Sequence, residues 1–201
     1  MPTSRLPMVF LVASLAACYA QVEDGSVQVT HALCNPSTTG CIPGGGIPIS
    51  TFTATGNNTF TVNFGDVPLL KSSDTLGPAT LHTTLSLNKA TFDMQTSGGD
   101  FKGITQAQLL QAPRASTGPS DDPCGGTANC PVIAVYLQST DGVADQQIVL
   151  KSQVANLVDL IDPTTHQIIF EVRAQGTAPQ PSLWSANLTM DLGMKSRVNY
   201  P

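Results

Sequence analysis

From Trp184 to Met194 every second residue is apolar or small: Trp184, Ala186, Leu188, Met190, Leu192 and Met194. Between them lie Ser185, Asn187, Thr189, Asp191 and Gly193. Side chains of an extended chain alternate between two faces, so this segment reads as a strand with one buried and one wet face. A helix would scatter the same residues around its axis. The pattern recurs. Phe60, Val62 and Phe64 alternate with Thr59, Thr61 and Asn63, just after the turn residues Gly56-Asn57-Asn58. Val27, Val29 and Leu33 share one parity, and His31 falls on it. Leu81, Leu85 and Leu87 oppose His82, Thr84, Ser86 and Asn88; the apolar parity then passes to Ala90, Phe92 and Met94. A switch of parity within one strand predicts a β-bulge near Asn88-Lys89.

Other segments complete the set. Phe101 to Ala112 reads as a strand. Val132 to Gln138 is apolar on both parities, as in a central strand covered on both faces. Over 147–161, Ile148, Leu150, Val154, Val158 and Leu160 fit a strand, whereas Val154, Leu157, Val158 and Ile161 fit a helical stripe. The strand is preferred, because Asp162-Pro163-Thr164-Thr165 then turns the chain into Ile168, Phe170 and Val172. No helix is predicted elsewhere. About eight or nine strands separated by turns imply an all-β domain, an antiparallel sandwich or a partly open barrel. Two long loops interrupt it, 35–50 and 113–131, both rich in Gly and Pro.

The first residues belong to no fold. Arg5 supplies a positive charge, and Leu6 to Ala17 is a continuous apolar run, too short for the ~20 residues that cross a bilayer. That is the pattern of an export leader. It ends in Leu15-Ala16-Ala17-Cys18, which resembles the lipobox of bacterial lipoproteins. The resemblance covers only the first eighteen residues. It implies that residues 1–17 are removed as a signal peptide and that Cys18 is lipidated, on the thiol and on the new amine. Tyr19 follows the cysteine, and the family pattern then implies the outer membrane of a two-membrane cell. The alternative is cleavage after Ala20 and a soluble periplasmic or secreted protein. On the lipoprotein reading, residues 18–26 form a lipidated cysteine and a short tether, and 27–201 form one β domain.

Loss of Arg5 with the leader changes the formal charge from −5 to −6. Only 11% of the chain is charged and the cations are scattered, which argues against nucleic acid as a partner. Lys89, Lys102, Lys151, Arg173, Lys195 and Arg197 stand singly among the strands, as charges that oppose edge-to-edge aggregation do. Besides Cys18, the four cysteines fall in two close pairs, Cys34 with Cys41 and Cys124 with Cys130. Four cysteines allow three pairings. Two local disulfides bracing the loops are the natural choice in an oxidising compartment; a zinc site is the alternative.

Catalytic patterns are missing. There is no G-x-S-x-G elbow, no H-E-x-x-H and no phosphate-binding glycine loop, so neither metal nor cofactor is expected. His82 falls on a polar parity and His166 follows a turn, which leaves His31 as the candidate ligand-contacting histidine or a plain core residue. Asp121-Asp122 and Asp141 with Asp145 read as loop and turn residues, with weak calcium contacts as the alternative. The polar face Thr80-His82-Thr84-Ser86-Asn88 reads as an exposed strand face. The function expected is a membrane-anchored envelope lipoprotein with a non-catalytic β domain in a structural or protein-interaction role. The first alternative is a carrier of a lipid or other apolar ligand, to which Met94, Met190 and Met194 would adapt. The second is a hydrolase or a calcium-dependent binder.

Overall fold

The alternating segments are strands. The structure is a computed structural model, and it describes residues 19–33, 48–49, 59–64, 75–76, 79–112, 124, 130–181 and 183–199. Among these, the strands are β1 (Tyr19–Leu33), β2 (Pro48–Ile49), β3 (Thr59–Asn63), β4 (Thr75–Leu76) and β5 (Ala79–Met94). They continue with β6 (Ile104–Gln111), β7 (Val132–Leu137), β8 (Gln147–Ser152), β9 (Gln167–Thr177) and β10 (Ala186–Asn199). One helical turn, α1 (Gln138–Asp141), and one 3₁₀ turn, Val158–Leu160, complete the described elements.

All pairings are antiparallel, in the order β1-β10-β5-β8-β7-β6-β9, with β3 and β2 on the far side of β9. The sheet curls into a nearly closed barrel. Its edge strands, β1 and β3, meet through side chains: the His31 ring stacks on Phe60 at 4.3 Å, and Phe60 stacks on the buried Phe170 at 5.3 Å. The interior is one apolar cluster to which every long strand contributes, including Phe92, Leu109, Ile133, Ile148, Phe170 and Leu188.

Strands β1, β10 and β5 are much longer than the rest and form a ribbon. β8 pairs with β5 only from Ala90 to Asp93; before Ala90 the chain after β8 takes its place at Leu85, whose carbonyl accepts from the Leu157 N–H at 2.7 Å. The expected bulge is there. Lys89 faces Asp191 and Leu87 faces Leu192, leaving Asn88 as the extra residue. Gly193 lies beside it, and a Cβ on Gly193 would fall 2.6 Å from the Asn88 amide nitrogen. The missing side chain makes room for the bulged one.

Two expectations fail. The segment 147–161 is a strand only to Ser152, after which the chain turns into the 3₁₀ element. Asn156 causes the break: its Oδ1 accepts from the backbone N–H of Leu85 (2.9 Å) and of Val158 (3.1 Å). Leu157, Val158 and Ile161 are then all buried, so the helical-stripe spacing is the one realised. The turn at Asp162 does form, with its carboxylate accepting from the N–H groups of Thr164 and Thr165. Second, the expected tether is not a tether. Tyr19 to Ser26 is the first half of β1, paired along β10 from Tyr19↔Asn199 to Ser26↔Gly193.

Candidate functional site

The molecule has two ends. Following β5 from Ala79 to Met94, one end holds the tip of the ribbon, where Tyr19, Asn199 and Thr80 share a register level. The other is a rim built by the loops after β5, after α1 and before β10. Backbone bonds fasten these loops together: Met94 N–H to Gln146 O (2.8 Å), Gln95 N–H to Ser185 O (2.9 Å) and Phe101 N–H to Asp145 O (2.7 Å). Lys102 sits between Asp100 and Asp145, 3.1 Å from each. The carboxyl of Asp100 is held below its ordinary pKa chiefly by the Lys102 backbone N–H; burial opposes this, and the Lys102 ammonium adds to the lowering. The same two aspartates push the Lys102 ammonium up. Asp141 is also lowered, first by the Leu137 N–H and then by Lys151, with which it forms an ion pair. Val143 and Leu183 project from the rim with 67% and 68% of their surface exposed.

Beneath the rim, Trp184 packs edge-on against Phe101 (6.5 Å between rings). A cavity of about 20 Å³ lies there, lined by apolar residues that include Leu33, Phe92, Ile148 and Trp184. It has room for about one water molecule.

The face of β6, β7 and β9 that points away from the interior carries a second arrangement. Glu171 is completely buried there. Its Oε1 accepts from Arg173 Nε at 2.6 Å, and its Oε2 accepts from the Cys124 backbone N–H at 3.0 Å. Cys124 is disulfide-bonded to Cys130, with Cα atoms 5.6 Å apart. Leu110, Ala112, Val132 and Ile169 pack against this bridge as a small satellite core. Sequence reasoning took Arg173 for a lone anti-aggregation charge. It is instead the partner of a buried carboxylate, because the Cys124–Cys130 bridge packs on that face and a charge beneath it must be paired. The signal was legible in part: Ile169, Glu171 and Arg173 share one parity, and two opposite charges on one strand face are neighbours.

The predicted site residues do not converge. His31 lies at the barrel seam on Phe60, His82 on the ribbon opposite Arg197, and His166 in the turn after Asp162 with φ 54°. Asp141 and Asp145 point to different lysines, Lys151 and Lys102. Of the disulfides expected, Cys124–Cys130 is formed; Cys18, Cys34, Cys41 and the Asp121-Asp122 pair lie outside the described residues. Among the described residues no group of three His, Cys, Asp or Glu side chains could hold a metal ion. Among them, too, no helix is long and apolar enough to cross a membrane.

No protein-family model matches the chain, and no curated protein does. Among solved structures it is similar to the crystal structure of a decameric BFDV capsid protein, at 12% identity over 90% of this chain and 99% of that one. The TM-score is 0.33, too low for the likeness to bear on topology or function.

Proposed function

We propose that the protein is a lipid-anchored component of a bacterial cell envelope whose β domain is non-catalytic and presents its rim to another envelope component. The observation that carries this reading is the placement of the ends. The lipobox cysteine immediately precedes Tyr19, and Tyr19 lies at the ribbon tip, opposite the rim. Lipid on Cys18 would leave the rim as the described part farthest from the bilayer. The rim suits a contact role because its loops are bonded to one another and carry exposed Val143 and Leu183 within a charged surround.

The non-catalytic part of the reading draws on how the described acids are used. Asp100 and Asp145 are tied to Lys102, Asp141 to Lys151 and Glu171 to Arg173. A general base needs a reacting proton within reach, and these carboxylates have their charges committed elsewhere. The cavity under the rim, at about 20 Å³, is too small for an apolar ligand, whose pockets measure several hundred Å³.

Anchoring is tested by Cys18→Ser in the full-length chain. The wild type should fractionate with membranes and incorporate labelled palmitate; the variant should lose the label and leave the membrane fraction. A variant that stays membrane-bound with unchanged mass contradicts the reading.

A further inference from the structure

We infer that the tip of the β1–β10–β5 ribbon is a bilayer-contact surface, on which the barrel stands with Arg197 against lipid phosphate. The inference rests on the lipid anchor at Cys18 and adds what the anchor does to the fold. In most anchored proteins a flexible segment separates lipid from domain. Here the residue after Cys18 is already paired in the sheet, Tyr19 with Asn199. The domain therefore has no slack, and the ribbon tip must lie at the surface into which the acyl chains insert.

The residues at that tip suit this position. The first two register levels are Tyr19, Asn199 and Thr80, then Ala20, Val198 and Leu81. None is charged, and tyrosine is a residue favoured at membrane interfaces. The third level is Gln21, Arg197 and His82. Among the described residues of β1, β10 and β5, the first formal charge met on leaving the bilayer is thus the exposed cation Arg197. Glu23 and Asp24 follow only at the levels of Ser196 and Lys195. At about 3.3 Å per residue, Arg197 stands about 10 Å along the strand from Cys18. The headgroup layer is about 5–7 Å deep in each leaflet, and a long arginine stem can bend back that far. A guanidinium binds phosphate through two parallel N–H bonds, which a lysine cannot copy. The rim, by contrast, lies about 45 Å up the ribbon from Thr80.

The test uses the full-length lipidated protein in vesicles of phosphatidylethanolamine and phosphatidylglycerol. A photo-crosslinking phenylalanine analogue replaces His82 in one variant and Ser97, in the rim, in another. Lipid adducts are expected at position 82 and not at 97. A long Gly/Ser segment inserted between Cys18 and Tyr19 should cut the adduct at 82 by about tenfold while intact mass still shows the lipid. Arg197→Glu should lower it several-fold, and Arg197→Lys by less. Equal adducts at both positions, or an adduct indifferent to the inserted segment, overturn the inference while the lipid on Cys18 stands. An adduct indifferent to Arg197→Glu overturns the role given to that residue. Intact mass without lipid on Cys18 overturns the anchor reading and this inference with it.

Discussion

Along most of the ribbon, burial follows the alternation of the strands: Leu85, Leu87, Leu188, Met190 and Leu192 point inward, and Thr84, Thr189 and Asp191 point outward, with Thr91, buried between Ala90 and Phe92, as an exception. On β9 that rule breaks. Phe170 and Val172 are buried as apolar residues, yet Glu171 between them is equally buried, under the disulfide loop and against Arg173. Both regions are antiparallel sheet with the same backbone bonding. They differ in what covers the second face. The ribbon leaves most of it to solvent, so polar residues there need no buried partner. The face under the Cys124–Cys130 bridge, a strap across β9, is closed around Glu171, so a charge there depends on its partner, and each fully buried apolar side chain gained is worth about 1.5–3 kcal/mol.

The comparison is broken most severely at Arg173. Arg173→Leu leaves Glu171 buried without its guanidinium, and stability in urea should fall by about 3–5 kcal/mol. Glu171→Leu combined with Arg173→Leu should recover most of that loss, because the cost lies in a buried carboxylate that has lost the Arg173 guanidinium. Additive losses would mean that the pair itself stabilises the fold.

Opening the strap is the next largest perturbation. Replacing Cys124 and Cys130 together by serine frees a seven-residue loop, for which chain entropy gives about 2 kcal/mol. Amide exchange should rise first on β6 and β9 and remain slow on β10. A uniform rise across both regions would contradict the local role assigned to the strap.

The ribbon contains a milder version of the same polar burial. Thr83 and Ser196, both buried, share a hydroxyl hydrogen bond of 3.1 Å across β5 and β10. Thr83→Val should cost about 1–2 kcal/mol in urea unfolding, and the double variant with Ser196→Ala less than the sum of the singles.

The rim ion pairs should matter least. Asp100 and Asp141 have lowered pKa values in the folded state. Their contribution is therefore present above the ordinary carboxylate pKa and is lost as pH falls through the lowered values. Lys102 has a raised value, so its share is present below the ordinary lysine pKa and is lost as pH rises through the raised one. Lys102 is exposed and Asp100 partly so, so Lys102→Met should leave the urea midpoint at neutral pH unchanged within error, and salt should flatten the acid-side slope.

What could be read from the sequence follows the same division. β5 and β10 were legible down to their bulge, because period-two alternation over Leu81–Met94 and Trp184–Met194 excludes a helix and its parity shifts at one place, Asn88. The segment after Ser152 was ambiguous because Val154 and Val158 fit both periods. The choice fell to the Asn156 side chain, whose partner Leu85 is 71 residues away. The burial of Glu171 was illegible for a related reason. Whether a strand's second face is wet depends on a distant loop, and nothing in residues 167–177 announces the strap. The tether was misread because Glu23-Asp24-Gly25 looks like a break, whereas β10 is long enough to pair beyond it.

The most direct measurement is the mass of the N-terminal peptide of the mature protein, isolated from bacterial membranes. The account predicts a peptide that begins at Cys18 and carries a diacylglyceryl group and an amide-linked acyl chain. An unmodified peptide beginning at Gln21 would mean release as a soluble protein, and the bilayer would have no part in holding this barrel.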